Sequence, residues 1–459
     1  MRPRTRPLPL LSAAAAALAL TALPGAPGAA PAPVRCGTVE RLPHAVATPR
    51  PPRRVLRGGG LPKQTRDSFG GSYQVRESTN FAVKWEGGGV SEDDAAFALA
   101  SLEDSWALYM GELGHTPPTG SEDFRINAYI AGPTDNPSID FDGGYATVDN
   151  QGHAYLVVSR SLLDQARANL RHVLSHEFYH DVQLGREVFY DQSASWYWEA
   201  TAEWASQELD PDLGDAYGFV GAFALRAELP VYYFGDPFAG ELEGVHQYGA
   251  SIFPRHLTDR FGDSTMVPLS WETAGPGDDP LDRLAAQLPE GTLADAYREF
   301  APHLALLDFT ARNHIQAWVD AYDGAYPGNR YALEVPPQGT GDWVTPGDRA
   351  PRALGANVIE LAWPMTGAAQ VEIEVDTAGS NGTPGQVSAT AVLQTVSGTE
   401  YVPIEITGGA GSAVLPMLTD GYLVVSATAD TRSFDEWFGY RLRVTPVQRP
   451  DDSDAGVGP

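Results

Sequence analysis

The stretch RHVLSHEFYHDVQ, residues 171–183, carries two histidines four residues apart, His176 and His180, with Glu177 directly after the first. It lies in a run from Ser161 to Gly185 that contains no proline and repeats apolar residues at helical spacing. Residues i and i+4 share one helix face, so both imidazoles can reach one point. This arrangement favours a Zn²⁺ site in which Glu177 acts as general base toward a water.

A second helical run, SASWYWEATAEWASQELDPD, supplies a candidate third ligand. Eighteen residues separate His180 from Glu199, and Glu203 follows one turn later on the same face. We predict that Glu199 completes the metal site and that Glu203 orients a ligand histidine. In the alternative interpretation, His176 and His180 are ordinary core or surface histidines, and the two glutamates form the polar face of an amphipathic helix.

The HExxH-x18-E spacing resembles that of the gluzincin clan of zinc metallopeptidases, and the EATAEW helix is similar to that of secreted bacterial proteins interpreted as metalloproteases. The resemblance implies an α+β zincin-like catalytic domain, mainly helical around the metal site. It also implies His176, His180 and Glu199 as zinc ligands, and protein or peptide substrates. The GxMEN motif of M1 aminopeptidases is absent upstream, which favours an endopeptidase.

The stretch HQYGASIF offers donors for the oxyanion that forms during peptide hydrolysis. Related enzymes supply a tyrosine or histidine from an element after the ligand helices, and Tyr248 and His246 are the candidates here. We predict that Tyr248 fills this role in preference to His246. The alternative for Tyr248 is an ordinary helix aromatic packed against the core.

The N-terminal residues and the charge indicate an exported protein. Residues 1–30 combine an arginine-rich start, an apolar stretch and small residues near Ala30, a pattern typical of a secretory signal peptide. The formal net charge of −28 argues against nucleic acid or an anionic membrane as partner. A single cysteine excludes an internal disulfide framework. We therefore predict a secreted, extracellular protein, and its oligomeric state stays open.

Composition shifts divide the rest of the chain. Residues 31–75 are rich in Pro, Arg and Gly and are predicted to be a pro-segment or disordered linker. The metallopeptidase domain is assigned to 76–345. Seven short runs with alternating β-branched residues over 355–448 predict an all-β sandwich as a C-terminal accessory domain. Residues 449–459 are predicted to be a disordered tail.

The single cysteine, Cys36, lies in the stretch PVRCGTVE. PVRCGT resembles the PRCGxPD cysteine switch of matrix metalloproteinases, which implies a thiolate that holds the enzyme latent by occupying the open zinc position. The proline and aspartate at the end of that motif are missing here. The alternative is an exposed thiol in a disordered segment, or one that pairs with another chain.

Two further interpretations stay open. A turn-rich stretch could supply oxygen ligands to Ca²⁺ from Asp140, Asp142, Asp149 and Asn150. The alternative is that this stretch is a solvated acidic loop. The rival function is a secreted protein that binds polysaccharide or protein and carries a metal-bound but inactive zincin-like domain. A missing general base or an incomplete set of metal ligands would indicate this rival function.

Overall fold

The computed structural model describes residues 35–38, 62–236, 242–325, 333–334, 343–361, 368–416 and 420–447. These residues all belong to one compact unit, 33–459, whereas the other unit, 1–32, lies outside them. The predicted signal peptide (1–30) and tail (449–459) therefore also lie outside the described residues. Within the described ranges, no helix is long and apolar enough to cross a membrane.

The strands and helices are numbered in chain order. The strands are β1 (Arg35–Cys36), β2 (Gln74–Glu77), β3 (Phe81–Trp85), β4 (Ile126–Ala131), β5 (Gly143–Val148), β6 (Ala154–Ser159), β7 (Leu333–Glu334), β8 (Gly355–Glu360), β9 (Ala369–Val375), β10 (Gly385–Thr395), β11 (Gly398–Ile404), β12 (Ile406–Thr407), β13 (Ala410–Leu415), β14 (Asp420–Ala429) and β15 (Tyr440–Pro446). The helices are α1 (Glu92–Trp106), α2 (Arg167–Leu184), α3 (Ser195–Leu209), α4 (Gly218–Leu225), α5 (His246–Gly249), α6 (Ile252–Phe261), α7 (Met266–Glu272), α8 (Pro280–Ala285), α9 (Leu293–His303) and α10 (Arg312–Ala325).

A six-stranded mixed sheet with the order β1-β5-β6-β4-β3-β2 lies beside the HExxH helix. Strands β3, β4 and β6 run parallel, and β5 is antiparallel to β6. β3 and β4 are buried along their whole length, which explains why FAVKW and INAYIA read as nearly continuous apolar runs. Helix α2 packs against β5 and β6, and α1 packs against α2 and β3.

Helices α2 and α3 pack against each other and bring the two sequence motifs together. Both helices are buried over most of their length, so neither has a simple solvent-facing stripe. The Gln183 side chain of α2 donates through Nε2 to the carbonyl oxygen of Trp198 on α3, at 3.0 Å. This hydrogen bond joins the end of the HExxH helix to the turn that carries Glu199.

The C-terminal strands lie where the alternating β-branched residues of 355–448 predict them. They form a three-stranded sheet, β11-β10-β14, a four-stranded sheet, β12-β13-β9-β15, and a parallel pair, β7-β8. Apolar residues of the first two sheets share one core, which includes Val371, Ile373, Ala391, Leu423 and Val425.

The predicted fold class is nevertheless wrong. The surroundings of α2 are not mainly helical, because the six-stranded sheet forms one side of them. The C-terminal strands do not form a separate sandwich domain, since they belong to the same compact unit as the helices. Arg352 N donates to Glu228 O, Ala356 N donates to Ala227 O, and α9 packs on β10 and β14. Alternation predicts which strand face is buried but not which element covers it, and the observed architecture is mixed α/β with separate sheets.

Candidate metal centre

Four side chains converge where α2, α3 and β1 meet. The ligand atoms of Cys36, His176, His180 and Glu199 all lie within 4.8 Å of one another, and all four residues are buried. The two imidazole Nε2 atoms are 3.0 Å apart. Oε2 of Glu199 lies 3.1 Å from Nε2 of His176 and 3.4 Å from Nε2 of His180. The structure thus brings together the HExxH histidines and the glutamate that follows them on the next helix.

These distances fit a tetrahedral metal site. Bonds of about 2.0–2.3 Å from Zn²⁺ to nitrogen, oxygen and sulfur require ligand atoms about 3.3–3.6 Å apart. The three distances above, and 3.3 Å from Cys36 Sγ to His180 Nε2, lie at or slightly below that range. Two imidazole nitrogens 3.0 Å apart must share a proton or a cation, because otherwise their lone pairs repel.

His180 is oriented by Gln183, a residue that the sequence interpretation missed. The Gln183 amide nitrogen donates to Trp198 O, so its oxygen faces Nδ1 of His180, at 2.6 Å. An amide oxygen only accepts hydrogen bonds, so His180 carries its proton on Nδ1 and leaves Nε2 free for a metal. Gln183 follows His180 by three residues, so helical spacing could have revealed this partner.

Glu203 lies beside His176, as expected for an orienting carboxylate. Its Oε1 is 3.2 Å from Nδ1 of His176, and its Oε2 is 3.2 Å from Nε2 of His172. Burial would raise the pKa of both Glu199 and Glu203, but the neighbouring histidines lower each to about 2. Burial would lower the pKa of His176, but its contacts with Glu199 and Glu203 raise it well above the usual value. The cluster therefore concentrates negative charge where a cation would bind.

Glu177 lies between this cluster and strand β5. Its Oε2 accepts a hydrogen bond from Thr38 Oγ1 at 2.9 Å, whereas its buried Oε1 has no hydrogen-bond partner among the described residues. Burial raises the pKa of Glu177 above its usual value, although His176 and His180 act in the opposite direction. Gly144 of β5 allows the Glu177 side chain to lie against this strand, because a Cβ at position 144 would be 2.6 Å from Cγ of Glu177.

The two predicted oxyanion donors lie in different surroundings. The Tyr248 ring lies 6.3 Å from that of His176, and its hydroxyl donates to the carbonyl oxygen of Cys36 at 3.1 Å. The structure does not bring His246 to the cluster, since its ring packs on Phe223 and Tyr233. Two residues of helix rotate a side chain by about 200°, so His246 and Tyr248 face opposite ways. Burial lowers the pKa of His246 to about 3, which keeps it neutral.

Cys36 is 4% exposed, so the alternative of an exposed thiol does not describe it. It packs with Phe219 and Tyr248, and its Sγ accepts a hydrogen bond from Thr38 N at 3.4 Å. Burial, then Glu177 and Glu199, raise the pKa of Cys36 well above its usual value. A divalent cation would reverse this direction, because a coordinating thiol is deprotonated outright.

Two of the four residues predicted as calcium ligands, Asp142 and Asp149, have protein partners. Asp149 pairs with Arg66 at 2.9 Å and accepts from Ser68 Oγ, and Asp142 accepts from Ser161 Oγ. Neither these aspartates nor Asp140 and Asn150 belong to the cluster of possible metal ligands found in the described part of the chain. We therefore base no proposal on calcium.

Two other residues of the site were missed at the sequence level. Thr38 reaches Glu177 only because residues 35–38 add to the sheet, which no local pattern indicates. Asp181, next to His180, is fully buried, and neither carboxyl oxygen has a hydrogen-bond partner among the described residues. Burial and nearby Glu177 raise the pKa of Asp181 well above its usual value.

Comparison with known proteins gives a family but no activity. No curated protein matches the sequence. One similar solved structure is a family GH115 4-O-methyl-alpha-glucuronidase with specificity for decorated arabinogalactans, at 10% identity and a TM-score of 0.16. The match covers 73% of this chain and 53% of that chain, and so low a TM-score carries no argument about fold or function. The sequence profile of DUF6055, a family of unknown function, matches residues 61–412, more than half of the chain, and the chain therefore belongs to that family.

Proposed function

We propose that this protein is a zinc-dependent endopeptidase. The observation that carries the proposal is the convergence of His176, His180 and Glu199 on one point, with the carboxylate of Glu177 beside it. Zn²⁺ held by these residues would supply Lewis acidity toward a water and a scissile carbonyl group.

The surroundings of Glu177 and Tyr248 support roles for both residues in the remaining chemistry. Glu177 would take a proton from the attacking water, hold it on its carboxyl group and deliver it to the leaving amine. Its raised pKa and the free Oε1 support this role. The Tyr248 hydroxyl already donates to a peptide carbonyl, that of Cys36, and would donate in the same way to the oxygen that becomes negative.

The proposal extends to an extracellular protein that acts on protein or peptide substrates. Its support is the N-terminal sequence of residues 1–30 and the formal net charge of −28. Strand β5 passes beside Glu177, and the two-residue strand β1 pairs with its outer side. An extended peptide could hydrogen-bond to the same backbone groups of β5 in place of β1.

A second candidate function has one observation in its favour. Cys36 supplies a fourth ligand atom to the cluster, and zinc sites closed by four protein ligands are typically structural. The protein would then be an exported binding protein whose metal stabilises the fold. The presence of an intact general base, Glu177, argues for the endopeptidase.

One experiment separates the two functions. Because Cys36 and Thr38 both touch the site, we would use Cys36→Ala/Thr38→Val as the parent protein. Zinc content and casein hydrolysis, with and without a chelator, are measured for the parent and after adding Glu177→Gln or His176→Ala. We expect about one zinc per chain in the parent and the Gln variant, and none in the His176→Ala variant.

Relative to the parent, hydrolysis should fall by about 10²–10⁴-fold in the Gln variant and be lost with the zinc in the His176→Ala variant. Glu228→Gln is the matched control, because Glu228 is also buried but pairs with Arg226 and Arg349 outside the site. It should lower stability and leave turnover per folded molecule unchanged. A parent protein that holds zinc and cleaves nothing would refute the peptidase proposal and favour the binding protein.

A further inference from the structure

The segment Arg35–Thr38, hereafter the N-terminal segment, adds a strand to the edge of the six-stranded sheet. Arg35 pairs with Gly143 and Cys36 with Gly144 in parallel register, and Gly37 N donates to Gly144 O at 2.9 Å. The segment is buried, with Cys36 at 4% and Thr38 at 0% exposure. It therefore covers the strand edge that passes beside Glu177.

The N-terminal segment contacts three parts of the site that the proposed reaction needs: the ligand cluster, the base Glu177 and the Tyr248 hydroxyl. Cys36 Sγ lies 3.3 Å from His180 Nε2, 3.6 Å from Glu177 Oε2 and within 4.8 Å of the other ligand atoms of the cluster. Thr38 Oγ1 donates to Glu177 Oε2 at 2.9 Å and accepts from Ala146 N at 2.7 Å. The Tyr248 hydroxyl donates to Cys36 O.

We propose that the N-terminal segment is an internal inhibitor, in which Cys36 binds the zinc as fourth ligand while Thr38 occupies the base Glu177. The inference rests on the endopeptidase proposed above. A substrate would need the same strand edge, the same metal position and the same tyrosine hydroxyl. The protein as folded here is latent, and release of residues 35–38 activates it.

The contacts of Thr38 distinguish an inhibitor from a purely structural zinc ligand. A structural site needs four ligands and groups that orient them, and here Gln183 contacts His180 Nδ1 at 2.6 Å while the Glu203 carboxylate lies 3.2 Å from His176 Nδ1. It does not need a buried carboxylate next to the metal, whose desolvation costs free energy. Glu177 is such a carboxylate, and the hydrogen bonds that it accepts from described residues, from Thr38 Oγ1 and Cys36 Sγ, both come from the N-terminal segment. A catalytic base that the N-terminal segment inhibits would explain both the buried carboxylate and its hydrogen bonding to this segment.

The ligand role of Cys36 can be tested without any substrate. Cobalt(II) is exchanged into the wild-type protein and into Cys36→Ala, and near-ultraviolet absorption is recorded for thiolate-to-cobalt charge transfer. We expect the band in the wild-type protein and its loss in Cys36→Ala. Competition with a chelator should show zinc affinity weaker by about tenfold or more in Cys36→Ala, since even a partner outside the ligand set is worth 10–100-fold.

Latency is tested on the same proteins by casein hydrolysis at full zinc occupancy. Thr38→Val should keep the cobalt band and raise hydrolysis about tenfold, because it removes one hydrogen bond to a carboxylate. Cys36→Ala/Thr38→Val should raise hydrolysis by about 10²-fold if the segment is docked in about 99% of molecules. Thr399→Val, in an exposed position of β11, is the matched control and should change neither quantity.

Each result decides a different part of the proposal. Absence of the charge-transfer band in the wild-type protein would show that Cys36 is no ligand and would overturn the inference. Equal hydrolysis by the wild-type protein and the double variant, both with full zinc, would overturn latency and leave the endopeptidase intact. A wild-type band together with no hydrolysis in any zinc-loaded variant would overturn the inhibitor and the endopeptidase together, and leave a closed structural site.

Discussion

Helices α2 and α3 and the C-terminal sheets bury their side chains in opposite ways. The shared core of the two larger C-terminal sheets is apolar, and its ion pairs, such as Arg443 with Glu372, lie at a partly exposed face. Helices α2 and α3 instead bury many polar and charged side chains. These are Ser175, His176, Glu177, His180, Asp181, Gln183, Ser195, Glu199, Thr201, Glu203, Ser206 and Gln207.

This difference indicates that the apolar sheets contribute stability, whereas the buried polar groups of the helix pair favour a functional site. Burying a polar group without a full set of partners costs free energy, and Glu177 Oε1 and both oxygens of Asp181 lack partners among the described residues. Shifted pKa values of buried groups in one cluster are typical of functional sites. The helix pair therefore depends on the apolar regions for the stability that its own polar cluster lowers.

The largest effect is expected where the comparison is sharpest, at Glu199 and Glu203. Both glutamates are buried on α3 one turn apart, but only Glu199 belongs to the set of ligand atoms. Glu203→Ala should weaken zinc binding by about 10–100-fold, because it removes a partner of His176. Glu199→Ala should weaken it further, by about 10³-fold or more, since a bond to the metal is lost.

Competition titration against a chelator measures both values, and the two variants serve as each other's control. The reverse order would mean that the third ligand has been misassigned. Equal, small effects would mean that the buried charge of α3 has a structural role and that the contrast with the C-terminal sheets has another origin.

The next prediction concerns the apolar side of the comparison. Leu423 of β14 is fully buried in the C-terminal core, so Leu423→Ala should lower the free energy of unfolding by about 3 kcal/mol. Zinc affinity of the folded protein should not change. Leu269→Ala, at a leucine of α7 that is 41% exposed, is the matched control and should fall within about 0.5 kcal/mol of wild type. A large loss of zinc affinity in Leu423→Ala would show that the two regions are coupled.

The sequence predicted local structure and the convergence of His176, His180 and Glu199 better than the overall fold. The spacing of His176, His180 and Glu199 fixes one helix face and a position on the next helix, so these residues could be identified without a structure. Alternation in the same way located the C-terminal strands. It could not show that α9 covers two of them, because a period of two defines a face and not its neighbour.

The contacts of the N-terminal segment were beyond local patterns. Cys36 and His180 are 144 residues apart, and only the sheet register places Sγ within 3.3 Å of the imidazole. The composition of residues 31–75 predicts a pro-segment or disordered linker, yet residues 35–36 form a strand of the sheet. His246 was chosen for its residue type, but its helix turns it toward Phe223 and away from the metal cluster.

A third prediction concerns a polar network around Glu272 of α7, in which both carboxylate oxygens of Glu272 have hydrogen-bond partners. Glu272 accepts from Thr116 N and Oγ1 and from Arg186 Nη1, and it lies 3.1 Å from Nδ1 of His115. Burial would raise the pKa of Glu272, but these partners lower it to about 2. A lowered folded-state pKa stabilises the protein above the ordinary value near 4.5, and this contribution is lost as the pH falls from there toward 2.

Glu272→Gln should therefore lower the free energy of unfolding by about 2 kcal/mol at pH 7 and flatten its decline between pH 4.5 and 2. Urea unfolding at a series of pH values measures this. Glu290→Gln, at an exposed glutamate, is the control for loss of charge alone. An unchanged pH profile in Glu272→Gln would mean that the network contributes no more than surface charges do.

The smallest effect is expected at the partly exposed face of the C-terminal sheets. Arg443 of β15 lies directly opposite Glu372 of β9, donates to its Oε2 at 2.8 Å and lies over the ring of Trp343. A double-mutant cycle of Arg443→Ala and Glu372→Ala should give a coupling of about 0.2–1 kcal/mol, because water screens a pair that is about one-third exposed. Raising the salt concentration should weaken the coupling further. A coupling above about 2 kcal/mol that persists in high salt would show that this face, like the helix pair, relies on charges shielded from water, and the contrast between the two regions would then disappear.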